Sequence, residues 1–180
     1  MDLTYKLVRS ARKTISLRIM PGGELEVRCP GRMRRADVDA FVRSKQDWIE
    51  NRRSKLLPVQ PKLTDGELEA LRRRAKALLP ERVDCYARLI GVTYGSITVR
   101  SQRTRWGSCS SKGNLNFNSL LMLTPPEVLD YVVVHELCHR KELNHSARFW
   151  AQVEQILPDY RVQRAWLKEQ GAALIGRLPD

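Results

Sequence analysis

Apolar and polar positions alternate through the first thirty residues. Ile15, Leu17 and Ile19 share one side of one stretch, and Leu25, Val27 and Cys29 share one side of the next. A period of two is that of a half-buried strand. Pro21-Gly22-Gly23 stands between the runs as a turn signal, so the pair reads as a β-hairpin, with a further strand at 5–8 ahead of it. From 36 to 57 the period lengthens. Val38, Phe41, Val42, Trp48 and Ile49 recur at helical spacing. Pro58 and Pro61 bracket a connector, the expected boundary between an N-terminal hairpin and helix (1–60) and a second domain (61–180).

The second part opens on another helical pattern, 65 to about 90, carried by Leu68, Leu71, Ala75, Leu78 and Leu79 and resumed by Val83, Tyr86, Ala87 and Ile90. Pro80 should break or kink it, and Gly91 should end it. Short strands are expected at 96–100, 105–108 and 115–121, with Ser111-Lys112-Gly113-Asn114 as a turn. In TPPEVLDYVVVHELCHRKEL the three valines Val132, Val133 and Val134 favour strand. The start of the segment favours helix: Thr124 and Glu127 match a capping box, and Pro125 suits a first helical position. Such a helix is apolar nearly all round and should be buried. Ser146 can cap a further helix through Trp150 to about 157, and Pro158-Asp159 opens a last one that Gly171 should end. Trp48, Trp150 and Trp166 are expected as core or interhelix anchors. Trp106 should pack the sheet on a helix, with Gly107 allowing a close backbone approach.

Composition adds a charge imbalance. The net charge is +12, and residues 1–62 hold 15 Lys/Arg against 7 Asp/Glu, while the remainder holds 17 against 13. A basic surface attracts polyanions. Four scattered cysteines without a C-x-x-C pair suit reduced thiols. No apolar run reaches 18 residues and no secretory signal opens the chain, so the expectation is a cytoplasmic protein without membrane contact.

All three histidines lie in HELCHRKELNH, from His135 to His145. On a helix, positions i and i+4 face the same way, so His135 and His139 can grip one metal ion with Glu136 beside it. His145 follows His139 by six positions, which in an unbroken helix turns it about 240° away. It joins the other two only if the chain bends, and Asn144, which tolerates a left-handed cap, is the expected bend. Three imidazoles with an open fourth position describe a catalytic zinc site. Nickel or another divalent transition metal suits the same donors. The spacing also matches metzincin ligands. However, that pattern needs Gly where Glu142 stands and a downstream Met-turn, and no methionine follows Met122.

The run from Arg105 to Trp150, RWGSCSSKGNLNFNSLLMLTPPEVLDYVVVHELCHRKELNHSARFW, resembles the YgjP-like metallopeptidase family, relatives of the SprT-like and WLM zinc proteases among the zincins. Asp47-Trp48-Ile49 and Leu157-Pro158-Asp159-Tyr160 extend the resemblance over most of the chain. It implies one zinc ion on His135, His139 and His145, with Glu136 catalytic. It also implies an α+β, zincin-like (gluzincin-type) fold: a small antiparallel sheet, a backing helix and the H-E-x-x-H helix, with the N-terminal hairpin and helix as an extension.

The expected function is a zinc-dependent metallopeptidase in which Glu136 takes a proton from the attacking water. Tyr131, one turn before His135, and Arg105 are candidate donors to developing negative charge. An extended peptide could add to an edge strand near the metal, and Asn114, Asn116 and Asn118 mark the candidate strand. A nucleotide or phosphoanhydride hydrolase is the rival reading, because Arg103, Arg105, Arg140, Lys141 and Arg148 crowd the motif. Solvent-facing roles at the helix C-terminus suit Arg140 and Lys141 better, which leaves Arg148 open. Nucleic-acid association is a third reading, from Arg32, Arg34, Arg35, Arg52, Arg53, Lys55 and Arg72–Arg74, although no base-reading motif accompanies them.

Overall fold

The computed structural model describes residues 4–20, 22–55 and 60–179. The chain divides into two compact units, 1–59 and 60–180.

In the first unit the expected hairpin pairs β2 (Ser16–Ile19) antiparallel with β3 (Leu25–Pro30). The turn is closed by the Met20 amide donating to the Glu24 carbonyl, with Gly22 and Gly23 at positive φ. Pro21 lies outside the described residues. β1 (Tyr5–Ser10) runs parallel to β3 on its other side, so β3 is central. Leu25, Val27 and Cys29 line the buried face with Val38, Val42 and Ile49. The single helix expected at 36–57 is two: α1 (Arg35–Arg43) and α2 (Gln46–Ser54), and its expected end at 56–57 lies outside the described residues. The break falls where the Ser44 hydroxyl donates to the Phe41 carbonyl, a local bond that competes with helix continuation. Trp48 is not a core anchor there: it is 46% exposed.

In the second unit α3 (Asp65–Ile90) is one 26-residue helix that runs through Pro80 without ending. The capping box is here, at Thr64 and Glu67, and Gly91 closes the helix at φ 73°. Leu79 and Val83 are buried on either side of the proline, so core packing on both turns outweighs the lost backbone bond. β4 (Ile97–Arg100), β5 (Gly107–Cys109) and β6 (Leu115–Asn118) form a mixed sheet rather than a wholly antiparallel one: β4 is parallel to β6, and β5 antiparallel. β6 is central. The strand expected to reach 121 stops at Asn118 and becomes a 3₁₀ turn, Ser119–Leu123.

α4 (Pro126–Cys138), α5 (Ala147–Ile156) and α6 (Tyr160–Ile175) complete the unit. Thr124 makes no capping box for α4. Its hydroxyl donates to the Leu121 carbonyl and closes the 3₁₀ turn, so the cap position passes to Pro125. α6 does not end at Gly171. That glycine gives room to Trp106, whose ring lies 3.2 Å from where a Cβ would sit. The core of α+β type is continuous from α3 through β6 to α4 and α5, with Leu79, Phe117, Val133, Leu137 and Phe149 fully buried. Among the described residues no helix is long and apolar enough to cross a membrane.

Candidate metal centre

α4 sets the first two candidate ligands. Val132, Val133, Val134, Leu137 and Cys138 are buried around it, which fixes the rotation of the helix and directs His135 and His139 to one side. The helix ends earlier than expected, at Cys138. His139 is its cap, at φ −63° and ψ −13°, so the i, i+4 relation survives. The chain then bends, although Asn144 does not adopt the left-handed conformation: no residue other than glycine has positive φ among those described. Instead the Asn144 side-chain oxygen accepts from the Ser146 amide, and the Ser146 hydroxyl caps α5 by accepting from the Phe149 amide. His145 therefore approaches from a separate segment.

The ligand nitrogens of His135, His139 and His145 lie within 4.8 Å of one another, and no other such cluster occurs among the described residues. The Nε2 atoms of His135 and His145 are 2.9 Å apart. Nitrogens around a tetrahedral ion bound at 2.0–2.1 Å sit about 3.3 Å apart, so the cluster has the dimensions of such a tripod. His139 Nδ1 stands 3.0 Å from the Glu142 carbonyl, which selects the Nδ1–H tautomer and leaves the Nε2 lone pair for the centre. His135 Nδ1 is buried without a hydrogen-bond partner. Burial first, then the two neighbouring histidines, push the His135 imidazole down to about 3, and burial likewise lowers His145. Neutral imidazoles with converging lone pairs fit a divalent cation.

The rest of the site comes from residues distant in sequence. Phe149, fully buried, lies under all three rings, at 4.9 Å from His135, 4.6 Å from His139 and 4.8 Å from His145. It follows His145 by four positions, a spacing that could have flagged it. Trp150 stacks on His145, and Tyr160 stacks on Trp150. Tyr131 is buried in the same aromatic wall, edge-on to His135 and stacked on Tyr160, with its phenol pushed up to about 12 by burial. Arg164 of α6 lies 4.3 Å from the Trp150 ring centroid, and its charge acts on His135 and His145. No local pattern pointed to Arg164, because it reaches the site only through helix packing.

Glu136 is 6% exposed. Burial pushes its carboxyl up to about 8, opposed by the charge of Arg105. The structure thus brings Arg105 to Glu136, while Arg148 is exposed and makes no ion pair or hydrogen bond among the described residues. Other cations near the motif hold backbone carbonyls. Arg140 donates to Thr93 and Ser111, Lys141 to Ile90 at the C-terminus of α3, and Arg103 to Pro179. They are latches between segments rather than a phosphate clamp, and Lys141 and Arg103 stay exposed to solvent. In the first unit, Arg34 and Arg35 pair with Asp37 and Asp39, and Arg53 donates to the Gly23 carbonyl.

The three asparagines expected on a docking edge are also committed. β6 is bonded on both sides and offers no edge. The Asn114 side chain accepts from the Ser96 amide, Asn116 donates to the Ser108 hydroxyl, and Asn118 donates to the Gln102 and Arg105 carbonyls. The edge beside α4 belongs to β5. Trp106 and Ser110 bond back to the β6 side, so the backbone N–H and C=O of Gly107 and Cys109 point outward.

An H-E-x-x-H helix, a third histidine from the turn just ahead of α5 and a small sheet at its side define a metal-dependent hydrolase of the metallopeptidase class. The chain belongs to the YgjP-like family, described as a metallopeptidase domain, whose model matches residues 13–68 and 59–170. Among solved structures, the chain is similar to the metallopeptidase zymogen of Pyrococcus abyssi abylysin. The identity is 21%, covering 51% of this chain and 90% of that one, with a TM-score of 0.45. It is also similar to the zymogen of Methanocaldococcus jannaschii jannalysin, at 18% identity, covering 48% of this chain and 92% of that one, with a TM-score of 0.42. No curated protein matches.

Proposed function

We propose that the protein is a zinc-dependent peptidase in which His135, His139 and His145 hold the ion and Glu136 carries the proton. The observation that supports it most is the convergence of the three imidazoles within 4.8 Å. Glu136, the residue after the first of them, is buried on the same helix. Zinc bound there supplies a Lewis acid that polarises a carbonyl and acidifies a water.

The chain's own residues do the rest. Buried as it is, Glu136 has a proton affinity near neutrality, which suits a group that must accept a proton from water and return it to a leaving amine. Arg105 favours the ionised carboxylate that begins the cycle. His139 is oriented through Glu142, and Phe149 keeps water from the inner side of the ligand rings. A peptide in extended conformation docks on the outward backbone groups of Gly107 and Cys109 at the β5 edge, beside α4.

Zinc-loaded Glu136→Gln, assayed on casein, should lose at least about 1,000-fold in hydrolysis while retaining one zinc per chain by elemental analysis. Activity within a few-fold of the parent would overturn the proton-carrier role. In the same assay Cys109→Pro, which deletes an outward N–H, should raise KM several-fold with metal content unchanged. An unaltered KM would remove β5 as the docking strand.

A further inference from the structure

Gly107 opens β5 directly against α4. A Cβ placed on it would lie 2.6 Å from Oε1, 2.7 Å from Cγ and 2.9 Å from Cδ of Glu136. Carbon and oxygen do not approach so closely without displacement, and three atoms of one side chain would have to yield together. The backbone does not ask for glycine here, because Gly107 is not among the residues with positive φ. The position therefore excludes volume, and the volume it leaves free is the one the Glu136 side chain occupies.

Neither backbone can retreat, so the Glu136 side chain itself would have to move. α4 is held by buried Val133, Val134, Leu137 and Cys138, and turning it would carry His135 and His139 away from His145. β5 is held by β6, with the Asn118 amide donating to the Trp106 carbonyl before Gly107 and the Ser110 amide to the Asn114 carbonyl after it. Trp106, the preceding residue, is wedged against Gly171 of α6. A strand pinned on both sides of Gly107 thus faces a helix whose rotation its buried side chains fix. We propose that Gly107 is the positioning residue for Glu136: the missing side chain is the slot that aims the carboxylate into the metal cleft. This rests on the reading of Glu136 as the proton carrier.

The test is a double-mutant cycle between Gly107→Ala and Glu136→Asp in the full-length chain. Aspartate is one methylene shorter and withdraws from the added Cβ. In the zinc-loaded protein acting on casein, Gly107→Ala should lower kcat about 100-fold with KM within about 2-fold and zinc content unchanged, as for a misplaced reacting group. In the Glu136→Asp background the same substitution should cost less than about 3-fold. In the metal-free protein, read by urea denaturation, Gly107→Ala should lower the midpoint when Glu136 is present and leave it nearly unchanged when Asp replaces it.

Equal losses in both backgrounds, or Gly107→Ala hydrolysis within about 2-fold of the parent, would overturn the proposal. So would failure of both the single and the double variant to fold, since the glycine would then serve the strand itself. Folding rescued by Glu136→Asp would support it. Glu136→Gln, run alongside, separates the two readings. If it stays active, the proton-carrier role falls, and the denaturation cycle still judges the contact. If it is inactive while the cycle shows no coupling, the positioning role falls alone.

Discussion

Asn118 has no surface exposure, and its side chain serves three backbone groups. It donates to the Gln102 and Arg105 carbonyls at 2.7 and 2.9 Å and accepts from the Leu120 amide at 3.1 Å. One residue thereby ends β6, starts the 3₁₀ turn and holds the loop that carries Arg105 to Glu136. Asn118→Ala should cost about 3 kcal/mol, because buried carbonyls and an amide are left without partners. Asn118→Asp should also be costly, since a carboxylate cannot donate to those carbonyls. Urea denaturation measures both, and a loss under about 1 kcal/mol would mean that the loop finds other partners. The sequence marked Asn118 as interesting for the wrong reason. Its spacing with Asn114 and Asn116 looked like one face of a free strand, and nothing local says that neighbouring strands and loops use all three amides.

Helices α3 and α4 pack together, and Tyr86 of α3 lies beside Asp130 of α4. Burial, and then the Asp130 carboxylate, push the Tyr86 phenol up to about 12 from its ordinary 10.0. Above pH 10 the unfolded chain releases this proton while the folded chain keeps it, so the unfolded state binds fewer protons and stability falls as pH rises from about 10 to 12. Tyr86→Phe should remove that share of the alkaline loss. The difference in stability between pH 7 and pH 11.5 should be smaller in the variant than in the parent, by denaturant titration at each pH. A steeper loss in the variant would contradict the assignment. Part of the alkaline loss should persist, because Tyr131 is also pushed up to about 12. The packing that shifts these phenols also carries α3 through Pro80. Proline is a strong local signal, but buried contacts on both flanking turns outweighed it.

For the second unit as a whole, apolar burial carries the core: Leu79, Leu115, Phe117, Leu121 and Leu137 are fully buried around the sheet and α4. Chelation with 1,10-phenanthroline should therefore abolish hydrolysis while far-UV circular dichroism is retained. The melting temperature should drop by several degrees, reflecting only the linkage of metal to the native state, about 2.7 kcal/mol at a hundredfold excess over Kd. Loss of helical signal on chelation would show instead that the ion holds the fold, as it does in small zinc modules. Returning zinc should restore both activity and melting temperature.

The H-E-x-x-H face, the alternating strands and the amphipathic helices were legible because they depend on bonds and periods spanning a few residues. His135 and His139 share a face for that reason alone. The position of His145 was legible only as a condition, that the chain bend, and the bend came through an Asn144 side-chain bond rather than a left-handed backbone. Tertiary structure alone decided that β6 is central and β5 an edge, that Arg140 and Lys141 are latches, and that Phe149, Trp150 and Arg164 surround the histidine cluster. It also decided that Glu136 sits in the space left by Gly107, 29 residues earlier in the chain. These contacts form when distant segments bury apolar surface together. Their geometry is set by the volume of the whole core, which no local window of the sequence contains.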